Sequence, residues 1–252
     1  MEEGGRITRV ADRDAKGVAN EGELRKERRV RTFQLRGGRL GPELRLAWAN
    51  ALPEYSLPAE PWDLSELSDG RPVVLELGSG MGAATLQMAL TEPLTLLIAA
   101  EVHDRGVASL ARAARQAEVP NLRIFHGDGV VALETLIPPG SLAGIRSWFP
   151  DPWPKQRHHK RRLIRPELVA LMSSRLAPGG TVHVATDVAA YADVINDVLR
   201  AEPTLEPVLV AGPRPSWRPV TKFERAGELA GRPSKDFIFR RSPGDPVATV
   251  EA

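Results

Sequence analysis

Val73-Val74-Leu75-Glu76-Leu77-Gly78-Ser79-Gly80-Met81-Gly82 is an apolar run that breaks into three alternating glycines. The run has strand length and opens with two β-branched residues. A helical pattern follows through Ala83, Leu86, Met88 and Leu90. Strand, glycine turn and helix together open a nucleotide-binding α/β unit, since glycine lets backbone approach a ligand where a Cβ would collide. One glycine loop is a weak signal, so its neighbours matter. The next strand, Thr95 to Ala100, ends at Glu101, 23 residues after Gly78. A carboxylate there can accept hydrogen bonds from both hydroxyls of a ribose. On this reading Glu101 serves a ligand rather than the packing. A third strand, Leu122 to Phe125, delivers Asp128, a candidate acceptor for an adenine amino group. Gly78, Gly80, Gly82, Glu101 and Asp128 are therefore the candidate nucleoside contacts.

A fourth strand, Gly144 to Phe149, feeds the stretch Trp148-Phe149-Pro150-Asp151-Pro152-Trp153-Pro154-Lys155-Gln156-Arg157-His158-His159-Lys160-Arg161-Arg162. Each of its three prolines fixes φ and lacks an N–H, so neither helix nor central strand runs from Pro150 to Pro154. A stiff loop carrying Asp151 and Trp153 therefore meets five Lys or Arg between Lys155 and Arg162. An acid beside a flat aromatic and a cationic run suits base handling next to phosphate contact. A proline-rich connector and a solvated helix face would read the same way in isolation. Trp148 is expected in the core. His158 and His159 lack a third ligand at metal-binding spacing, so no metal is expected.

Further along, Leu163 to Leu176 reads as a helix stopped by Pro178-Gly179-Gly180. Thr181 to Ala185 is the fifth strand, with Asp187 just beyond it, either at a site or capping the helix Ala189 to Leu199. Glu206 to Val210 and Phe237 to Arg240 are the sixth and seventh strands. Trp217, in the loop between them, is expected in the core, against the alternative of a stacking platform. Seven strands interleaved with helices make one α/β domain with a mostly parallel sheet.

Upstream, Met1 to Glu23 is polar, mixed in charge and without apolar period, and is expected to be disordered. Arg25 to Arg39 holds seven Lys or Arg and a single acid, Glu27. That segment is read as an arm that orders on RNA, against the alternative of a disordered tail. Glu43 to Leu52 is a short helix, and Pro53 to Pro72 a linker. Net charge is only +2 over 252 residues, so the arm and the run after Lys155 are two basic patches on a nearly neutral body. Such patches fit a polyanion. There is no cysteine, which excludes disulfides, thiolate catalysis and Cys-based zinc sites. No stretch approaches the roughly 18 apolar residues of a membrane span, and no apolar signal core is visible. A cytoplasmic protein is the expectation, with no membrane partner and an oligomeric state left open between monomer and homodimer.

The Gly-x-Gly-x-Gly spacing resembles the first motif of S-adenosylmethionine-dependent methyltransferases. More specifically, the chain resembles the bacterial tRNA (guanine-N7)-methyltransferases from about Arg31 to Arg240. The motifs that carry this are Phe149-Pro150-Asp151-Pro152-Trp153-Pro154-Lys155 with the basic run behind it, Thr221-Lys222-Phe223-Glu224, and Glu101-Val102-His103. The resemblance implies a Rossmann-like class I fold, S-adenosylmethionine as cofactor and tRNA as partner. It implies methylation of guanine N7 at position 46, in the variable loop. It divides the chain into a basic arm (1–45), a methyltransferase domain (46–241) and a flexible tail (242–252).

By the same resemblance Glu76, Glu101, Asp128 and Asp151 are cofactor contacts, with Glu76 near the methionine amino group; a strand-end acid capping the next turn is the alternative for Glu76. Lys155, Asp187, Thr221, Lys222, Phe223 and Glu224 are substrate contacts. Arg31 and Arg36 in the arm, with Arg157, Lys160 and Arg161, face the tRNA backbone. One departure is Arg105, where the family usually has proline; another is Arg225-Ala226-Gly227 in place of an immediate Arg-Gly. Guanine N7 carries a lone pair and no proton, so no general base is expected, and Asp151 and Asp187 are the candidate catalytic acids. An NAD-dependent oxidoreductase on a similar sheet lacks visible hydride-transfer machinery. A non-catalytic RNA-binding module would have no need of four cofactor carboxylates.

Overall fold

A computed structural model describes residues 30–34 and 38–244. The expectations for Met1 to Glu23, for Arg36 and for most of the tail lie outside those residues. Seven strands form one sheet: β1 (Val73–Leu77), β2 (Leu96–Glu101), β3 (Leu122–His126), β4 (Leu142–Trp148), β5 (Leu176–Thr186), β6 (Leu205–Gly212) and β7 (Lys235–Arg241). Their order is β3-β2-β1-β4-β5-β7-β6. All neighbours are parallel except β7, which runs antiparallel to both β5 and β6. The order reverses between β1 and β4, paired through Leu75 and Ile145. Ligands of open α/β sheets bind at that reversal, outside the carboxyl ends of the strands.

The helices are α1 (Pro42–Asn50), α2 (Leu52–Tyr55), α3 (Leu64–Ser68), α4 (Ala83–Thr91), α5 (Asp104–Gln116), α6 (Gly129–Val131), α7 (Pro166–Arg175), α8 (Ala189–Ala201) and α9 (Lys222–Leu229). Alternation along the strands sends successive side chains to opposite faces. Val73, Leu75 and Leu77 meet α3, α7 and α8 through Leu64, Val169, Met172 and Ile195. Val74 and Leu97 meet α2, α4 and α5 through Leu52, Met88 and Leu110 on the other face.

Four local expectations change. The linker holds α2 and α3, the latter capped by Asp63, whose carboxylate accepts from the Ser65 and Glu66 N–H groups. The boundary expected after residue 45 falls inside α1. The helix before Pro178 begins only at Pro166, a residue suited to a first turn, and ends at Arg175. Pro178-Gly179-Gly180 does not stop it. These residues lie inside β5, where pairing jumps from Leu142–Leu176 to Gly144–Thr181 and Gly179 takes φ +81°. The strand bulges there, and glycine accommodates the bulge.

Candidate active site

The carboxyl ends of β1, β2, β3 and β4 surround a cavity of about 190 Å3 whose lining includes Gly78, Gly80, Glu101, Asp128, Phe149 and Asp151. The glycine loop is left-handed at all three positions, with φ +81°, +58° and +82° at Gly78, Gly80 and Gly82. Protein atoms leave more than 4 Å of room around a Cβ on Gly78 or Gly80, whereas one on Gly82 would lie 2.6 Å from the Cβ of Leu110. The first two glycines thus leave space in the cavity, and the third lets α5 pack against the loop.

Glu101 is buried. Its Oε2 accepts from the Gly80 N–H at 2.7 Å, and its Oε1 accepts from Val102 and His103 at 2.8 and 2.9 Å. The carboxylate therefore pins the glycine loop and the entry to α5 while still lining the cavity. The reading of Glu101 as a residue serving only a ligand is corrected on that account. Asp128 caps α6, accepting from the Val130 N–H at 3.0 Å. Glu76 accepts from the Thr85 hydroxyl at 2.6 Å, and burial pushes its carboxyl pKa upward. It ties β1 to α4 and is not among the residues lining the cavity.

A second cavity of about 630 Å3 adjoins the first and shares Gly80, Val102, His103, Phe149, Asp151 and Phe223 with it. Phe149 has φ +59°, an uncommon conformation for a bulky residue, and its N–H donates to Ala185 at 2.8 Å. Its ring stacks on Phe223, with centroids 6.2 Å apart and planes at 26°. Phe223 is 51% exposed and sits in the first turn of α9. That turn is capped by Thr221, whose hydroxyl accepts from the Glu224 N–H. Lys222 lines the second cavity, its Nζ 4.9 Å over the Phe223 ring.

Two expected substrate contacts are turned away. Glu224 is buried: Arg218 donates to both its oxygens, at 2.8 and 3.1 Å. Asp187 pairs with Arg232 at 3.0 Å and is not among the residues lining either cavity. Nor does Asp187 cap α8, because the Val188 N–H goes to the Thr186 hydroxyl and α8 has no side-chain cap. A Cβ on Gly227 would lie 2.8 Å from Asp187 Oδ2, so this acid sits behind α9.

Trp153 is also reassigned. It is buried, its indole N–H donates to the Thr32 carbonyl at 3.1 Å, and the Arg161 guanidinium lies 5.0 Å over its ring. It anchors the arm, whose Thr32 and Phe33 line the first cavity. The aromatic pair that lines both cavities is Phe149 and Phe223. Arg31, Lys155, Arg157 and Lys160 are exposed, the last two on a 3-10 turn, Gln156–Arg161. Trp217, expected in the core, is 46% exposed, with the Arg146 guanidinium 5.3 Å over it. Trp148 is buried as expected.

Behind this wall runs a buried polar array that sequence reading missed. The Trp148 indole N–H donates to His183 Nδ1 at 3.2 Å. An indole only donates, so Nδ1 is the acceptor and Nε2 carries the hydrogen that goes to Asp236, 2.7 Å away. Burial holds the His183 pKa below its usual value, against the opposing pull of Asp236. Arg218, wholly buried, donates to both oxygens of Asp236 at 2.7 and 3.0 Å. Its guanidinium also faces the Trp148 and Phe149 rings at 5.8 and 5.7 Å. The array thus links β4, β5, β7 and α9 behind the cavity wall.

A reversed seven-stranded sheet with an antiparallel seventh strand, a glycine loop after β1 and acids at the next strand ends define a Rossmann-like methyltransferase fold. A family model described as putative methyltransferase matches residues 70–237. A Streptomyces coelicolor protein named tRNA (guanine-N(7)-)-methyltransferase is 46% identical over 222 residues, covering 85% of this chain and 82% of its own. Relatives of the same name from Nitrosospira multiformis and Burkholderia cenocepacia are 44% and 43% identical, covering 86% and 92% of this chain and 96% and 92% of their own. The chain belongs to this tRNA (guanine-N7-)-methyltransferase family. Among solved structures, the 16S rRNA methyltransferase KamB covers 73% of this chain and 95% of its own at 20% identity, with TM-score 0.48. Among the described residues no helix is long and apolar enough to cross a membrane, and no group of three or more His, Cys, Asp or Glu could hold a metal ion.

Proposed function

We propose that this chain transfers the methyl group of S-adenosylmethionine to N7 of guanine 46 in the variable loop of tRNA, in the cytoplasm. The observation that carries the reading is that Asp151, Phe149 and Phe223 line both cavities. A nucleoside held over the glycine loop and a base stacked at the aromatic pair therefore share one acid and one aromatic boundary. The first cavity suits the cofactor: room at Gly78 and Gly80, a fixed Glu101 carboxylate with accepting capacity left, and Asp128 at its rim. S-adenosylmethionine supplies a methyl group bound to a positively charged sulfur.

This chain's own residues do the rest by positioning and charge. Phe223 and Phe149 offer a stacking surface for an extruded guanine. Asp151 accepts from its N1–H and amino group, fixing which edge is presented, and stabilises the positive charge the purine ring acquires. No residue has to remove a proton, because N7 has none. Asp187 acts from behind α9, holding Arg232 and the helix that carries Phe223. The residues before Pro42 serve as an arm toward the RNA, and Lys155, Arg157 and Lys160 meet its phosphates.

Incubating the protein with radiolabelled cofactor and tRNA transcripts tests the position. A transcript with guanine at position 46 should take up label, and one with adenine there should not; equal labelling of both would reject position 46.

A further inference from the structure

The second cavity has a cationic lip in which Arg105, so far without a role, stands with Lys222, an expected substrate contact. Arg105 and Lys222 both line it, from α5 and α9 respectively. Both are exposed, and no acid among the described residues pairs with either. The acid beside Arg105 is committed elsewhere, since Asp104 Oδ1 lies 3.1 Å from His126 Nε2. Each cation stands in the first turn of its helix, where the helix dipole disfavours positive charge. Lys222 rests over the Phe223 ring, and neither charge is offset by an acid among the described residues. The arm passes beside the stem of Arg105, because a Cβ on Gly38 would lie 3.7 Å from Arg105 Cδ.

We propose that Arg105, together with Lys222, forms a phosphate clamp at the mouth of the second cavity. It takes the RNA backbone phosphate next to the nucleotide whose base stacks at the Phe149–Phe223 pair. The planar guanidinium can grip two phosphate oxygens at once, while the ammonium acts as a point charge. This proposal rests on the RNA-methylating reading and adds to it a contact made by this chain's own Arg105.

The test uses the full chain with Arg105→Ala, Arg105→Lys and Lys222→Met. Binding of tRNA is followed across a salt series, methyl transfer is followed in parallel, and calorimetry with S-adenosylhomocysteine and thermal melts serve as controls. Each neutral variant should lower the slope of log affinity against log salt by about one. Arg105→Lys should keep the slope but bind more weakly than the parent. Cofactor-product affinity and melting temperature should stay at parental values, because both side chains are exposed. A parental slope in Arg105→Ala, with methyl transfer to tRNA intact in the parent, overturns the clamp and leaves the function standing. A reduced slope in a protein whose parent transfers no methyl group to tRNA supports the clamp and overturns the function.

Discussion

Arg218→Met should be the most destabilising single change near the site. The parent guanidinium makes four donor contacts, at 2.7–3.1 Å, to two carboxylates that are themselves buried. Removing it leaves Asp236 with His183 alone, and Glu224 with Ser234 and the partly exposed Arg214. Breaking a buried ion pair by deleting one partner costs about 3–5 kcal/mol, because the other charge stays desolvated. For a domain of this size that is roughly 6–20 °C in melting temperature, a large share of a typical total stability of about 5–15 kcal/mol. Urea unfolding of Arg218→Met, Glu224→Gln and the double variant measures it. Neutralising the acid as well should recover part of the loss, with a coupling of at least about 1 kcal/mol. A loss under about 1 kcal/mol for Arg218→Met, or additive single effects, would refute the claim that this array fixes the wall behind Phe149.

Four further outcomes follow from the geometry. Glu101→Ala should lower stability by about 2–4 kcal/mol as well as weaken cofactor binding, since three N–H groups lose a charged acceptor; a parental melting curve would mean the carboxylate serves the ligand alone. Phe223→Ala should leave the melting curve in place and lower kcat/KM for tRNA roughly 5- to 150-fold, the worth of one stacked base; unchanged kinetics would remove it from the base site. Below the ordinary histidine pKa of about 6.5 the unfolded chain takes up a proton that buried His183 refuses. The unfolded state then binds more protons, so stability should fall as pH drops from about 6.5 towards the folded value. His183→Gln should lose less stability over that range, and parallel pH curves would contradict the assignment. Single-turnover methyl transfer should be nearly flat above about pH 6.5, because guanine N7 has no proton to lose; a tenfold rise per unit through neutrality would require a general base.

The frame of this site was open to sequence reading because its signals are local. Glycines alternating after a valine-rich run, and acids at Glu101 and Asp128 one strand apart, follow from strand period and turn chemistry. What stayed hidden depends on pairings between distant segments. Glu224 looked like a site acid until Arg218 was seen to bind it, and Asp187 until Arg232 did. Trp153 has the composition of a stacking platform, but its indole N–H finds a carbonyl 121 residues away. The helix α5 was legible and missed: Val107, Leu110, Ala111 and Ala114 have helical spacing and all are buried. So was α9, since Thr221 and Glu224 have capping-box spacing, although Glu224 gives its carboxylate to Arg218.

The measurement that bears most directly on the account is mass spectrometry of nucleosides from tRNA incubated with the protein and S-adenosylmethionine. The proposed mechanism, in which an acid fixes the base and no group has to deprotonate it, requires 7-methylguanosine as the one new methylated nucleoside. A methyl group on another base, on another atom of guanine, or on no nucleoside at all from folded protein that binds the cofactor, would contradict it.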